Sequence, residues 1–347
     1  MKCTKFLAGA AVAAGILAGC GPSKPVLHVY TWSDYIDNDV IAKFAEENGC
    51  RVVVDTFDSN EAMYAKLQAG STGYDVIMPS SYQIPLMARS GMIRKLDHSL
   101  LPNVAKNFDK GYATSILDPS FTYSVPYMVT YTGVAYRKDK VGDAPVDSWH
   151  LYETGALKGR MSLLADMRET IGAGLRCLGY SLNSENPKEI DAAVELVLKW
   201  KDNIAKFDNE QYTTAVDGGE WFVGHGYSSD ITQVMTENEN VGFSLPKEGF
   251  TIAFDEMVVA ADAPNPELAH KFINFLYDPA NAKPNMESVL APMPVAPALA
   301  DLDEATKKLL VIDGSVLKKG EMLKDFVDKP GVRELYIKAW DRIKGGK

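Results

Sequence analysis

Four cysteines and five histidines in 347 residues leave little from which to build metal or thiol chemistry. The histidines (28, 98, 150, 225 and 270) are scattered without metal-ligand spacing. No HExxH, paired CxxC, GxSxG or GxxxxGK[ST] occurs, so the common signatures of zinc hydrolases, serine hydrolases and phosphate-cradling loops are missing. Positive charge is also in deficit: 36 Lys+Arg stand against 46 Asp+Glu, a formal net charge of −10. That balance argues against nucleic acid as a partner, because phosphate binding needs a basic patch. Long hydrophobic runs are lacking too, none reaching the roughly 18–20 residues that span a bilayer. What remains is an ordinary globular composition, 46% hydrophobic and 24% charged, at a length that favours two domains.

The N-terminus reads as an address. A basic head, Met1-Lys2-Cys3-Thr4-Lys5, precedes an almost wholly apolar stretch from Phe6 to Gly19. Residues 1–19 thus have the pattern of a secretory signal, too short for a membrane helix. The stretch ends Leu17-Ala18-Gly19-Cys20, which resembles the lipobox of bacterial lipoproteins, where cleavage before the Cys is followed by its acylation. The expectation is an exported chain beginning at Cys20 and tied to a membrane by lipid, each acyl chain contributing about 0.8 kcal/mol per buried CH₂. Residues 20–25 then form a short tether, Gly21-Pro22-Ser23-Lys24-Pro25 following the lipidated Cys20. Cys50 and Cys177 fall in different expected domains and read as free, buried thiols.

Beyond the tether, strands and helices alternate. Strands are expected over 26–30, 51–55 and 74–78, with helices over 38–48, 60–70 and 84–89. Further strands are expected over 131–137, 161–165, 241–246 and 251–260, and helices from Pro187 to about Phe207 and over 266–277. The tail from about Glu304 reads as mostly helical. Near-continuous apolar strands in β-α-β order mean parallel sheet covered on both faces, hence an α/β fold. Ligands of such sheets bind at the carboxyl ends of the strands. The segments 31–35 and 79–82 therefore share one rim.

That rim pairs aromatics with acids. Trp32, Asp34 and Tyr35 lie within four residues; Tyr82 follows two serines; Asp166 and Glu169 enter a helix; Tyr227 precedes Asp230; Phe254 adjoins Asp255. Aromatic faces attract organic cations, by about 0.5–2 kcal/mol per contact, and carboxylates accept charge-assisted hydrogen bonds from ammonium groups. Apolar walls with carboxylates at intervals suit a chain of methylenes with amines at intervals, a polyamine. The plainer reading of each pair alone is a core aromatic and a helix cap.

Six stretches, in order, carry a family resemblance: Tyr30-Thr-Trp-Ser-Asp-Tyr35, Ser59-Asn-Glu-Ala-Met-Tyr-Ala-Lys-Leu67, Tyr74-Asp-Val-Ile-Met-Pro-Ser-Ser-Tyr82, Ser124-Val-Pro-Tyr127, Asp166-Met-Arg-Glu169-Thr and Pro246-Lys-Glu-Gly249. With these, residues 26–347 resemble the periplasmic spermidine/putrescine-binding proteins of polyamine ABC transporters. The resemblance implies a two-lobe fold of the type II periplasmic binding protein kind, each lobe a mainly parallel sheet flanked by helices. One lobe would comprise residues 26–131 plus 256–300 and the other 132–255 plus 301–347, with crossing segments near 131–136 and 252–258 as the hinge. It implies a polyamine (putrescine, spermidine) clamped between the lobes and delivered to a permease, with no enzymatic step, no cofactor and a monomeric state. Carried over by position, Trp32, Tyr35 and Tyr82 would line the pocket, with Ser33 and Ser80 in support. Asp34, Asp166, Glu169 and Asp255 would meet the amines. Tyr227-Ser-Ser-Asp230 resembles the W-x-G-D of the putrescine-specific branch, adding Tyr227 and Asp230. Three positions depart from the pattern: Ala253 and Ala291 stand where the family has aromatics, and Leu323 falls near a family Gln.

Other readings keep the fold and change the ligand to an amino acid, a sugar or another organic cation, or make the chain an extracellular hydrolase using two of the carboxylates. Iron is disfavoured because no Tyr-Tyr pair is present.

Overall fold

The computed structural model describes residues 24–345 except 58, 325 and 327. The signal, Cys20 and most of the tether lie outside these residues.

The first half is built on β1 (Val26–Trp32), α1 (Asn38–Glu47), β2 (Arg51–Phe57), α2 (Asn60–Gln68), β3 (Val76–Ile77), α3 (Ile84–Arg89) and α4 (Pro102–Asn107). Local chemistry sets the boundaries. The Asp37 carboxylate caps α1 by accepting the Asp39 and Val40 N–H groups, and Gly49, at φ +58°, turns the chain back towards β2. α1 buries Val40 and Phe44, and the Phe44 ring meets Phe272 and Phe275 edge-on at 4.9 and 5.2 Å. β1 pairs in parallel with β2 and β3.

The chain then crosses in β4 (Ser124–Arg137), one 14-residue strand that begins well before the expected 131–137. A second α/β unit follows: β5 (Met161–Leu163), α5 (Met167–Cys177), α6 (Pro187–Lys201), β6 (Lys206–Phe207), α7 (Tyr212–Asp217), β7 (Val223–Tyr227), α8 (Ser228–Glu237) and β8 (Val241–Ser244). β5 is parallel to both β6 and β7. The expected long helix ends at Lys201, not near Phe207. The chain turns at Asn203, the Ala205 N–H reaches the Met161 carbonyl at 2.7 Å, and sheet pairing takes the residues that helical periodicity had claimed.

β9 (Phe250–Val259) returns alongside β4, and α9 (Pro266–Leu276), α10 (Pro279–Val289), α11 (Ala296–Asp301), α12 (Glu304–Leu310), α13 (Gly314–Leu317), β10 (Gly320–Glu321) and α14 (Pro330–Gly345) complete the described residues. The sheet order is β2-β1-β3-β9-β4-β7-β5-β6. Residues 124–131 of β4 pair with β9, and residues 132–137 pair with β7 and β8, so one strand serves both halves.

Burial follows the same division. Leu27, Val29, Phe44, Val129, Phe250, Phe254 and Phe272 belong to one core, joined by Leu310 and Leu317 of the tail. Trp149, Leu163, Val194, Val197, Trp200, Tyr336 and Trp340 belong to another. Cys50 and Cys177 are both buried and free.

Candidate functional site

The carboxyl ends of β1, β3, β5 and β7 converge on one cavity of about 660 Å³, with β4 and β9 as its floor. That volume lies within the range for small-molecule sites, about 300–1,000 Å³. All eleven side chains singled out in the sequence line it. Trp32, Ser33, Asp34 and Tyr35 follow β1; Ser80 and Tyr82 follow β3. Asp166 and Glu169 come from the start of α5, Tyr227 and Asp230 from the β7–α8 junction, and Asp255 from β9.

Strand periodicity explains the floor. Successive side chains of β9 alternate faces, which puts Thr251, Ala253 and Asp255 on one face and Ile252, Phe254 and Glu256 on the other. Phe254 is accordingly 1% exposed and meets Tyr112 edge-on at 5.8 Å. Its ring belongs to the core, and the expected Phe254–Asp255 pair contributes only its acid.

Asp255 is held from two sides. The Tyr35 hydroxyl donates to one carboxylate oxygen at 2.6 Å, and the Ser80 hydroxyl to the other at 2.6 Å. Burial pushes the Asp255 carboxyl above its ordinary range, and these two hydrogen bonds oppose the shift. Asn60 ties the rim together, its amide nitrogen donating to Ser80 Oγ and Tyr82 Oη at 3.0 Å each while its oxygen accepts the Ser80 N–H at 3.1 Å.

Across the cavity, Asp166 caps α5 by accepting the Arg168 and Glu169 N–H groups at 2.8 and 2.9 Å. The capping role and a place on the cavity wall coexist in this residue. Glu169, 6% exposed, accepts the Thr251 hydroxyl at 2.7 Å. Burial, with the Asp166 charge adding to it, pushes the Glu169 carboxyl up to about 8. Asp230 accepts the Tyr212 hydroxyl at 2.7 Å, and the Tyr227 N–H donates to the same hydroxyl oxygen at 3.0 Å. Tyr212 lies tight against β7: a Cβ on Gly226 would overlap its ring, so glycine is required there. Trp32 packs edge-on against Phe57 at 4.5 Å, and its buried indole N–H has no partner among the described residues. Asp34 sits at φ +53°, a left-handed conformation that Asp tolerates better than most residues.

Sequence reasoning missed the hydroxyls of Thr130 and Thr251 and the support from Asn60 and Tyr212. Asn60 lies inside the quoted 59–67 stretch, and strand alternation from Asp255 would have found Thr251. No local pattern marks Tyr212. The three departures from the family pattern, Ala253, Ala291 and Leu323, all line the cavity. His225 beside Ser228 and Ser229 is a core residue: burial drives its imidazole down to about 3, and it packs against Trp149 at 5.0 Å.

Five carboxylates line this cavity, and none of the described residues lining it is Lys, Arg or His. Comparison with known proteins points the same way. The chain is 37% identical to the putrescine-binding periplasmic protein SpuD of Pseudomonas aeruginosa, over 96% of each chain. It is 33% identical to the spermidine/putrescine-binding periplasmic protein of Escherichia coli, over 99% of this chain and 98% of that one. The crystal structure of the spermidine/putrescine ABC transporter substrate-binding protein PotD from Streptococcus pneumoniae superposes with a TM-score of 0.86 at 32% identity, covering 91% of this chain and 98% of that one. The Tp0655 (TpPotD) lipoprotein of Treponema pallidum superposes at 0.81 with 31% identity, covering 92% and 99%. The family model for bacterial extracellular solute-binding proteins matches residues 39–311, and the chain belongs to that family.

Proposed function

We propose that this protein is the extracytoplasmic receptor of an ABC importer and binds a polyamine, putrescine or spermidine, in the cavity between its two halves. The observation that carries the reading is the cavity itself, walled by five carboxylates and by the aromatic rings of Trp32, Tyr35, Tyr82 and Tyr227, with no cationic side chain among its lining residues. Ammonium groups satisfy the carboxylates, methylenes pack on the rings, and delivery to a permease needs no chemical step. β4, which pairs in both halves, and β9, which lies alongside it, serve as the hinge on which ligand shifts an open–closed equilibrium.

Titration calorimetry of the ligand-stripped protein tests the reading. Putrescine or spermidine should bind one-to-one, and a neutral diol of similar length should not. Binding of the diol as well would remove the charge argument. A second reading has its own support: Ala253, Ala291 and Leu323 replace two aromatics and a Gln expected from the family pattern, opening one wall to a bulkier organic cation. Heat from such a cation and none from either polyamine would select it.

The Leu17–Cys20 tetrad supports lipid attachment at Cys20 and hence a place on a membrane surface. In cells, Cys20→Ser should move the exported protein from the membrane fraction to the soluble one. Unchanged fractionation would rule out this anchor.

A further inference from the structure

On the surface of the second half, away from the cavity, the fold brings two residues of one turn against a third from further along the chain. His150 and Glu153 lie on a 3₁₀ turn, Trp149–Glu153, and Cys177 is the last residue of α5. His150 Nδ1 stands 3.1 Å from Glu153 Oε1, and Cys177 Sγ stands 3.7 Å from His150 Nδ1 and 3.8 Å from Nε2. One ligand atom from each of the three lies within 4.8 Å of the others.

We propose that His150, Glu153 and Cys177 form a binding site for one divalent zinc ion. Zinc takes imidazole, carboxylate and thiolate at about 2.0–2.3 Å in a tetrahedron, which places neighbouring ligand atoms about 3.4–3.6 Å apart. The His–Glu and Cys–His separations, 3.1 and 3.7 Å, lie near that value, and a turn of the exposed His150 ring would aim one nitrogen at an ion held between the other two ligands. The donor set is mixed and includes a thiol, which excludes calcium and magnesium and suits a borderline-soft cation. The fourth position is left to water.

The surroundings favour a cation. The site lies at the C-terminal, negative end of α5. Glu153 and Glu248 bring two carboxylates close to the Cys177 sulfur. An entering dication turns both carboxylates into favourable neighbours. The S–H bond breaks, its proton leaves to solvent, the sulfur keeps the electron pair for the metal, and nothing is oxidised or reduced. Supporting bonds already fix the turn: Ser148 Oγ accepts the His150 N–H at 3.2 Å and donates to Glu248 at 2.5 Å, and Glu248 also accepts the Trp149 N–H at 3.2 Å. His150 and Glu153 keep about half of their side-chain surface in solvent, so an ion can reach them. Glu169 and Asp166 sit at the other end of α5, about 12 and 17 Å from Cys177 along the helix, and the site does not depend on the polyamine reading.

Cobalt(II) alone, added to the chelator-treated, tag-free protein, is the probe. The expected result is one equivalent of tetrahedral cobalt with a sulfur-to-cobalt charge-transfer band, bleached by zinc chloride. Loss of an outer-shell partner weakens metal sites by about 10–100-fold, so loss of a ligand in His150→Ala or Cys177→Ala should weaken zinc binding at least about 100-fold. Cys50→Ala should leave the band intact. His150 is exposed, so its variant decides the matter if Cys177→Ala does not fold. No charge-transfer band, or a band that survives His150→Ala, overturns the site.

Discussion

Asp255→Ala should weaken putrescine binding by about 2–5 kcal/mol, roughly 30- to 5,000-fold, the scale for removing one partner of a buried charge pair. The expectation rests on how the fold prepares this carboxylate. It is half-buried, one oxygen is held by Tyr35 and the other by Ser80, and both hydroxyls spend their protons on it. Ordering has been completed before ligand arrives, so a bound ammonium meets an acceptor that needs little rearrangement. In the alanine variant the two hydroxyls lose their acceptor and the ammonium loses its counter-charge at the same site. Asp255→Asn separates these effects, since the amide oxygen can still accept from one hydroxyl while the charge is gone. It should bind better than Asp255→Ala but far below the parent. Trp32→Ala, which removes only cation–π and apolar contact, should cost less, about 1–3 kcal/mol. Calorimetry on the three variants gives the order directly. Parent-like affinity in Asp255→Ala would remove this residue from the site.

The contrast between Asp255 and its neighbour Phe254 shows what a sequence can and cannot disclose here. The acid and the aromatic are adjacent and both read as rim chemistry, but a strand sends successive side chains to opposite faces, so Asp255 offers its carboxylate to the cavity while the Phe254 ring packs in the core. The rim itself was legible because it follows from one topological fact: in β-α-β units the loops after the strands share an edge. Trp32, Ser80 and Asp166 each stand just after an expected apolar strand. Residues that hold the rim in place carry no such mark. Tyr212 reaches Asp230 from a short helix, and only the contact with Gly226 reveals the fit. The helix from Pro187 was overextended for a related reason. Its core positions Ile190, Val194, Val197 and Trp200 are all buried as expected, yet its end is set by pairing with β5, a contact between residues more than 40 apart. The cluster at Cys177 was invisible for the same reason, its ligands lying on two elements that meet only in the folded chain.

Binding of a polyamine near pH 7 should release close to one proton per molecule of ligand. Glu169 is the source. In the ligand-free protein its carboxyl is pushed up to about 8 by burial and by the neighbouring Asp166, so at pH 7 it is mostly protonated. An ammonium group placed against it favours the charged form and drives the proton off. The amines themselves, with ordinary values near about 10, stay charged. Affinity should therefore rise with pH between about 6 and 8 and level off above, where Glu169 is already ionised. Calorimetry in buffers of different ionisation enthalpy counts the proton, and Glu169→Gln should lose most of that count together with most of the affinity. The same shift fixes the sign of an effect on stability. A carboxyl whose value is raised in the fold stabilises the empty protein fully below its unfolded value, near 4.5, and that contribution is lost as pH rises towards about 8. Glu169→Gln cannot ionise, so the empty variant should be more stable than the parent at pH 9, and the difference should shrink towards pH 5. Thermal unfolding of the two proteins side by side at both pH values cancels the contributions of every other titrating group. A constant difference between them, with proton release unchanged by the substitution, would mean that Glu169 is already ionised in the empty cavity. Glu169 would then meet the cation as a carboxylate already charged, not as one that ionises when the cation arrives.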